Sequence, residues 1–556
     1  MNPASFCIRF LRIVRGVSGL ATFAVAQSPN PSSRIVQAID ETSRIPLAGT
    51  TPQAIKGGQD LGEVESNHSL QHIVLLLTPG PGQAASLKSL IESQHNKGSA
   101  NYPKWLTPEQ FAAQFGPSDD DLATVKGWLQ TRGLNPTAVG RGRQWIEFSG
   151  SVQQVNSAFA TSMHRFNLNG ETHIANSSDI SIPRALAPVV AGVLSLNDFR
   201  KQPAHSKLVL MKRNTEGKTV PVNPEFTSTD GNGNYFYNLA PGDFQTIYNE
   251  APLLTSGVNG TGISIAIAGR SDISLGDVQE FRQLFGLPQN DPNIILTGTD
   301  PGFPNVGRDQ VESTLDVEWS MAAAPGATVN LVESTSSDTT DGIDLSSAYI
   351  VDNAISPILS VSYGTCEALM GPYENAFYNS LWEQAAAEGI TVFVATGDGG
   401  AAQCDVDLQN ANFEPQGPAL NGPTINGLAS APFNVSVGGT QLNEANNYGA
   451  YWAPDNGAGF QSVLGYIPEQ AWNESCDPTL PQTGTNCYYG QTSYVLVGGG
   501  GGPSNCSQAS IDSQGNETCI AGYPKPSWQT GTGVPADGVR DIPDLSLNAS
   551  PDDDGY

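Results

Sequence analysis

The chain has 556 residues, 38% of them hydrophobic and 14% charged, with a formal net charge of −28. That length and composition describe a folded chain of several domains and exclude a disordered or fibrous protein. So acidic a surface also argues against nucleic acid as a partner. The charge is divided: residues 1–235 hold 21 Lys plus Arg against 17 Asp plus Glu, a balance of +4, while residues 236–556 hold 5 against 37, a balance of −32. The two parts are therefore expected to attract each other at neutral pH.

In chain order, Arg9, Arg12 and Arg15 precede a short apolar stretch, Gly16 to Phe23, and Ala24-Val25-Ala26 before Gln27 fits a small-x-small cleavage site. Residues 1–26 read as a signal peptide, which predicts a secreted, extracellular protein. No other stretch approaches the roughly 18 apolar residues of a spanning helix, so no membrane partner is expected. Residues 27–67 are read as an extension and 68–200 as a first domain. Within it His72–Thr78, Gln144–Phe148 and Met163–Phe166 have strand character, and Ala84–His95, Asp119–Leu134 and Val152–Ala160 have helical patterns. An α+β domain of two βαβ-like halves with an antiparallel sheet is predicted. Residues 201–234 are rich in Lys, Arg, Pro, Gly, Asn and Thr without periodicity, and read as an exposed linker open to proteolysis.

From 235 to 556 the pattern changes. Short β-branched runs at Ile263–Ala268, Thr328–Val332, Ile358–Tyr363, Ile390–Ala395 and Val435–Val437 alternate with helical patterns at Asp277–Phe285, Asp309–Ala323 and Asn375–Glu388. This alternation predicts an α/β domain with a parallel, doubly wound sheet, whose site gathers at the carboxyl ends of the strands. Six cysteines, Cys366, Cys404, Cys476, Cys487, Cys506 and Cys519, all follow residue 360. An even set in an exported chain predicts three disulfides; short spacings favour Cys476 with Cys487 and Cys506 with Cys519, leaving Cys366 for Cys404. No Cys-x-x-Cys suggests a metal, and no internal repeat is present. Gly498 to Gly502 is followed by Pro503 and no helical pattern, which argues against a nucleotide loop.

The last histidine is His205, and the 351 residues after it hold no imidazole. That excludes an ordinary Ser-His-Asp triad there and disfavours a histidine-bound zinc, so any proton transfer falls to carboxylates. Glu312 and Asp316 stand four apart on one helical face, and the apolar neighbours Leu315, Val317, Trp319 and Met321 predict a buried helix. Buried neighbouring carboxylates raise each other's pKa and can act as a general base and its orienter. Asp398 ends a strand, where a protonated carboxyl can donate a hydrogen bond to an oxyanion. The alternatives, a solvated helix face and an Asp-Gly turn, are the ordinary roles of such residues.

Several segments together resemble the sedolisin or kumamolisin family of serine-carboxyl peptidases with its prodomain: Leu106-Thr107-Pro108-Glu109-Gln110-Phe111, Phe115-Gly116-Pro117-Ser118, Phe244–Tyr248, Glu312–Glu318, Ala324-Pro325-Gly326-Ala327, Ser360–Gly364, Ala395–Gly399 and Ile542-Pro543-Asp544. The resemblance implies a subtilisin-like fold behind a ferredoxin-like prodomain that acts as intramolecular inhibitor and folding aid. It assigns Glu312 beside the nucleophilic serine, Asp316 as its orienter, Asp398 as the oxyanion residue, and Ser362, Tyr363 and Gly364 as the edge that pairs with an extended peptide. In the family a Gly-Thr-Ser-x-x-x-Pro nucleophile segment follows the Pro543–Leu547 stretch, and a calcium site follows later. No Gly-Thr-Ser occurs here, so the chain reads as cut short of both, with calcium the expected cofactor and no metal ligands of its own. Asp552 to Asp554 read as a solvated turn. The resemblance thus implies a monomeric, secreted acid endopeptidase zymogen acting on protein or peptide substrates. Its alternatives are a tripeptidyl-peptidase of the same family and a catalytically dead peptide-binding protein on the same fold.

Overall fold

The computed structural model describes residues 31–204, 226–229, 235–303, 308–409, 417–444, 447–479, 494–512 and 517–551. The predicted signal peptide, Cys487, most of the 201–234 linker and Asp552 to Asp554 lie outside the described residues.

The first domain is built on Ser69–Leu77, whose run of Ile73 to Leu77 is buried. It pairs antiparallel with Trp145–Ser151 on one side and Val190–Val193 on the other, and Asn135–Val139 closes the sheet beyond Trp145–Ser151. The strand order, with Pro81–His95 and Asp119–Thr131 in the first crossover and Val152–Phe159 in the second, is the β-α-β-β-α-β arrangement of a ferredoxin-like domain. The helix starts are chemical. Ser118 accepts from the Asp121 N–H, three aspartates fill the first turn, and Ser151 caps Val152–Phe159 in the same way. Pro108–Phe115 is a further helix, opened by a Thr107–Gln110 capping box.

Residues 27–67, read from the sequence as an extension, are part of this domain from Ser33 onward. Arg44–Pro46 pairs with Ser181–Pro183, Gln59–Glu63 pairs with Met163–Leu168, and Leu47 and Val64 are buried in the core with Ile146, Phe148 and Phe159. Asp121 binds this segment as well as its own helix, accepting from the Ser33 hydroxyl and from the Arg34 and Ile35 N–H groups.

The second domain is a parallel sheet in the order Asn293–Leu296, Thr328–Glu333, Ser264–Gly269, Ile358–Val361, Thr391–Ala395, Val435–Leu442, extended by Leu545–Asn548 in parallel and Glu469–Ala471 antiparallel. Alternate residues serve opposite faces. Ala266, Ala268 and Val332 pack with Ile343, Ile350 and Trp382, whereas Ile267, Val329 and Leu331 pack with Val278, Val317 and Met321. Helices Gly342–Asp352 and Glu367–Glu388 therefore cover one face, and Leu275–Leu284 and Arg308–Ala323 the other, which is the doubly wound α/β architecture. Helix Glu367–Glu388 starts eight residues before the predicted Asn375, because Gly371 (φ 65°) and Pro372 kink it and interrupt the pattern. Cys366–Cys404 and Cys506–Cys519 are disulfides with Cα separations of 4.9 and 4.7 Å, and Cys476 is disulfide-bonded as well.

The two domains share apolar surface. Val74, Leu76 and Leu194 of the first lie in one core cluster with Phe377 and Leu381 of the second, and Phe111 and Phe115 meet Ala387.

Candidate active site

Because the central strands are parallel, the residues that follow them collect along one edge. Arg270 follows Ser264–Gly269, Ser362 follows Ile358–Val361, and Thr396-Gly397-Asp398 follows Thr391–Ala395. The helix Arg308–Ala323 packs on this sheet through Val317 and Met321 and carries Glu312 and Asp316 one turn apart. Glu312 is 2% exposed. Its carboxyl is pushed up to about 8, first by burial and then by Asp309, against a lowering hydrogen bond from Ser362 and the charge of Arg308. Asp309, one turn earlier on the same helix, is a charged neighbour that adds to the elevation of Glu312. The Ser362 hydroxyl donates to Asp316 Oδ1 at 2.7 Å, so Ser362 touches both carboxylates.

Asp398 is held through backbone. The Gly498 N–H donates to the Asp398 carbonyl (2.8 Å), the Gly500 N–H to the Gly397 carbonyl (2.7 Å), and the Thr396 hydroxyl to the Gly500 carbonyl (2.7 Å). The glycine run is therefore the backing of the Asp398 loop. A Cβ on Gly500 would lie 2.1 Å from the Thr396 carbonyl oxygen, so only glycine fits that approach. Arg308 links the parts electrostatically: half-buried, and so depressed in pKa, it is raised by Asp309, Asp398 and Glu312 alike. Glu312, Asp316, Ser362 and Asp398 thus converge at one end of the sheet.

The edge formed by Tyr363 and Gly364 is occupied. Gln202 and Pro203 pair with it antiparallel, opposite Gly364 and Tyr363, and the Ala204 N–H donates to the Ser362 carbonyl at 2.8 Å. Arg308 Nη1 donates to Gln202 Oε1 at 3.0 Å. Residues 201–204, read from composition as open linker, are instead bound in extended form across the sheet end. Their polar, proline-containing composition is as suitable for an edge strand as for a linker.

Behind the edge lies an ionic cluster that the sequence reading missed. Arg270 binds Asp309 (Nη2–Oδ1, 2.9 Å) and Asp341 (Nη1–Oδ2, 2.9 Å), donates to the Lys201 carbonyl (2.8 Å), and lies 5.0 Å over the Tyr363 ring. Asp341, held well below the usual carboxylate range mainly by Arg270 against its burial, also accepts from the Lys201 N–H and caps helix Gly342–Asp352. The available signal was scarcity: there are 5 cations against 37 acids after residue 235, and three of the five, Arg270, Arg282 and Arg540, are buried. Arg540, fully buried against Asp544 and 5.1 Å over the Trp528 ring, is another such case.

Among the described residues one carboxylate trio, Asp272, Asp300 and Glu333, brings its oxygens within 4.8 Å of one another. Hard oxygen donors of this kind suit calcium or magnesium. Burial, with Asp272 and Asp300 adding to it, pushes Glu333 up to about 9. Among the described residues no helix is long and apolar enough to cross a membrane.

Residues 56–199 match the family described as "Pro-kumamolisin, activation domain". Along the chain, sedolisin of Pseudomonas sp. (strain 101) is 27% identical over 98% of this chain and 80% of its own length. Kumamolisin of Bacillus sp. (strain MN-32) is 26% identical over 92% of this chain and 79% of its own, and tripeptidyl-peptidase 1 of Canis lupus familiaris 27% identical over 69% and 64%. Xanthomonalisin of Xanthomonas sp. (strain T-22) is 26% identical over 94% of this chain, which spans 59% of that protein. Among solved structures, Pseudomonas sedolisin, a serine-carboxyl proteinase, complexed with pseudo-iodotyrostatin shares 24% identity at a TM-score of 0.37, covering 57% of this chain and 72% of that one. Residues 56–199 are thus similar to a pro-kumamolisin activation domain, and most of the chain is similar to the sedolisin and kumamolisin peptidases.

Proposed function

We propose that this chain is the precursor of a secreted, acid-acting serine-carboxyl endopeptidase, held inactive by its first domain. The observation that carries the reading is the strand Gln202–Pro203 lying on Tyr363–Gly364, with Ala204 bonded to Ser362 beside Glu312 and Asp316. A peptide bound by strand addition would take the same course.

In this reading Glu312 takes the proton from a serine hydroxyl as it attacks the scissile carbonyl, and Asp316 orients Glu312 and shares the proton. Asp398 donates a hydrogen bond to the oxyanion, a role a carboxyl fills only when protonated, which ties the activity to acid. With its pKa near 8, Glu312 in the precursor is a neutral acid and a poor base. The occupied edge accounts for latency by blocking the course a substrate would take.

An endopeptidase is favoured over a tripeptide-releasing enzyme because Lys201, three residues before Ala204, has its own side-chain pocket. The groove therefore receives more than three residues on that side. The nucleophilic serine and the calcium site are expected by resemblance alone; the Asp272, Asp300 and Glu333 trio fits a hard cation but has no part in the proposed chemistry.

The test is hydrolysis of a denatured protein at acid pH. Residues 27–556, which hold no Gly-Thr-Ser segment, should show no sustained turnover. The full gene product should be active, and Asp398→Asn should lower its kcat by roughly 10² or more, as other oxyanion donors do. Purified residues 27–556 with lasting, pepstatin-insensitive activity would overturn the assignment of the missing serine and leave the dead-fold alternative excluded as well.

A further inference from the structure

The Lys201 side chain leaves the edge-bound segment and enters the peptidase domain, where it is 3% exposed. Its Nζ lies 2.8 Å from Asp344 Oδ1, against a Glu374 carboxylate oxygen, and 5.4 Å from the centre of the Tyr378 ring. The walls come from two rigid elements. Asp344 is on helix Gly342–Asp352, and Glu374 and Tyr378 stand one turn apart on helix Glu367–Glu388. The Tyr378 hydroxyl donates to Asp344 Oδ1 at 2.5 Å, fixing the carboxylate that receives the ammonium. An adjoining cavity of about 720 Å³, lined by Lys201 and Glu374 together with Gln202, Arg308, Met370 and Asp407, opens between the domains.

Two carboxylates buried side by side, with Asp341 close to both, must either take up a proton or face a cation, and above their raised pKa values only the cation serves. In the precursor that cation comes from the leader. When residues up to 204 depart, the peptidase domain keeps Asp344, Glu374 and Asp341 and loses Lys201 and the nearby Arg200. Whatever extended peptide next pairs with Tyr363–Gly364 carries a side chain at this same position, because strand pairing fixes the register.

We infer that Asp344, Glu374 and Tyr378 form a specificity subsite for a lysine side chain of the substrate, three residues before the one bonded to Ser362, and that Lys201 is its resident occupant in the precursor. The inference rests on the peptidase reading for the word substrate, but the ammonium pocket itself does not. A lysine replaces the lost cation, whereas norleucine of the same length leaves the carboxylates unpaired, a mismatch that polar sites reject strongly.

Two measurements test it. Lys201→Ala in residues 27–556 removes the atoms of n-propylammonium, so added n-propylammonium should raise its thermal unfolding temperature saturably, with no comparable effect on the unsubstituted chain and none from n-propanol. No rise, or an equal rise with n-propanol, overturns the pocket. In the processed full gene product, peptides with Lys-Gln-Pro-Ala before the cleaved bond should exceed their norleucine counterparts in kcat/KM by on the order of tenfold or more, a ratio that Glu374→Gln should bring toward one. A general folding defect would lower both rates and leave the ratio. Equal rates in the unsubstituted enzyme overturn the subsite. Propylammonium rescue without hydrolysis of any peptide would refute the peptidase reading and leave an ammonium-binding pocket.

Discussion

Glu312 shows how function and stability oppose each other at a single residue. Burial raises its pKa to about 8, so the folded chain binds its proton more tightly than the unfolded chain does. The sign follows: its stabilising effect is complete below the ordinary glutamate pKa of about 4.3 and is lost as pH rises through the folded value. Glu312→Gln, neutral at every pH, should therefore unfold at higher denaturant than the unsubstituted chain at pH 8 by up to a few kcal/mol, and the two should converge near pH 4. Urea unfolding of residues 27–556 at both pH values reads this directly; a variant less stable than its parent at pH 8 would contradict the burial argument. The residue itself was legible in the sequence from the absence of imidazole after His205 and the four-residue spacing to Asp316. Asp309, three residues earlier on the same helix, was as legible by spacing; its buried pairing with Arg270 from another strand end was not.

At the scale of elements, the parallel strands were legible because their buried β-branched runs resemble little else, and the sheet order follows the rule that places sites at carboxyl ends. The helix Gly342–Asp352 was not. It is buried on nearly every side, so no polar face marks a helical period, and the Ser/Thr/Asp run before it reads as loop until Asp341 is recognised as its cap. The leader strand was missed for a similar reason: two residues of pairing leave no periodic trace, and only the edge opposite gives them meaning. The glycine run 498–502 was legible as glycine but not as purpose. Its use is close backbone approach to the Asp398 loop, so Gly500→Ala, which would set a methyl 2.1 Å from the Thr396 carbonyl, should cost about 1–3 kcal/mol of stability and displace Asp398. Thermal unfolding of Gly500→Ala checks it; an unchanged midpoint would mean that the loop yields freely.

For the molecule as a whole, the charge division visible in the sequence becomes a small number of buried pairs rather than a diffuse attraction. Lys201 is faced by Asp344 and Asp341 at one helix, by Glu374 and Tyr378 at the other, and by the cations Arg200 and Arg270. Glu374 sits at about 7 even with Lys201 lowering it, and without the lysine it would be higher. Leader binding thus depresses the pocket's carboxyl pKa values, and by linkage its contribution is present above the free values and lost as pH falls through the bound ones. His68 of the first domain also pairs with Asp338 of the second (2.6 Å). Apolar contacts through Val74, Leu76, Leu194, Phe111 and Phe115 are indifferent to pH. In a chain cut once between residues 205 and 234, retention of the first domain should weaken from pH 7 to pH 4, by on the order of tenfold, with little response to salt because the pair is buried. Lys201→Met should flatten that profile; a profile unchanged by the substitution would place the acid sensitivity elsewhere.

The central claim is that carboxylates take the place of an imidazole in this site, and its most direct measurement is the turnover of Glu312→Gln in the full gene product, processed and assayed at acid pH on an unfolded protein. The arrangement of Glu312, Asp316, Ser362 and Asp398 predicts a loss in kcat of at least about 10², with KM little changed and the fold intact, because the amide can neither accept the serine proton nor return it. A Glu312→Gln enzyme with near-normal kcat would contradict the account.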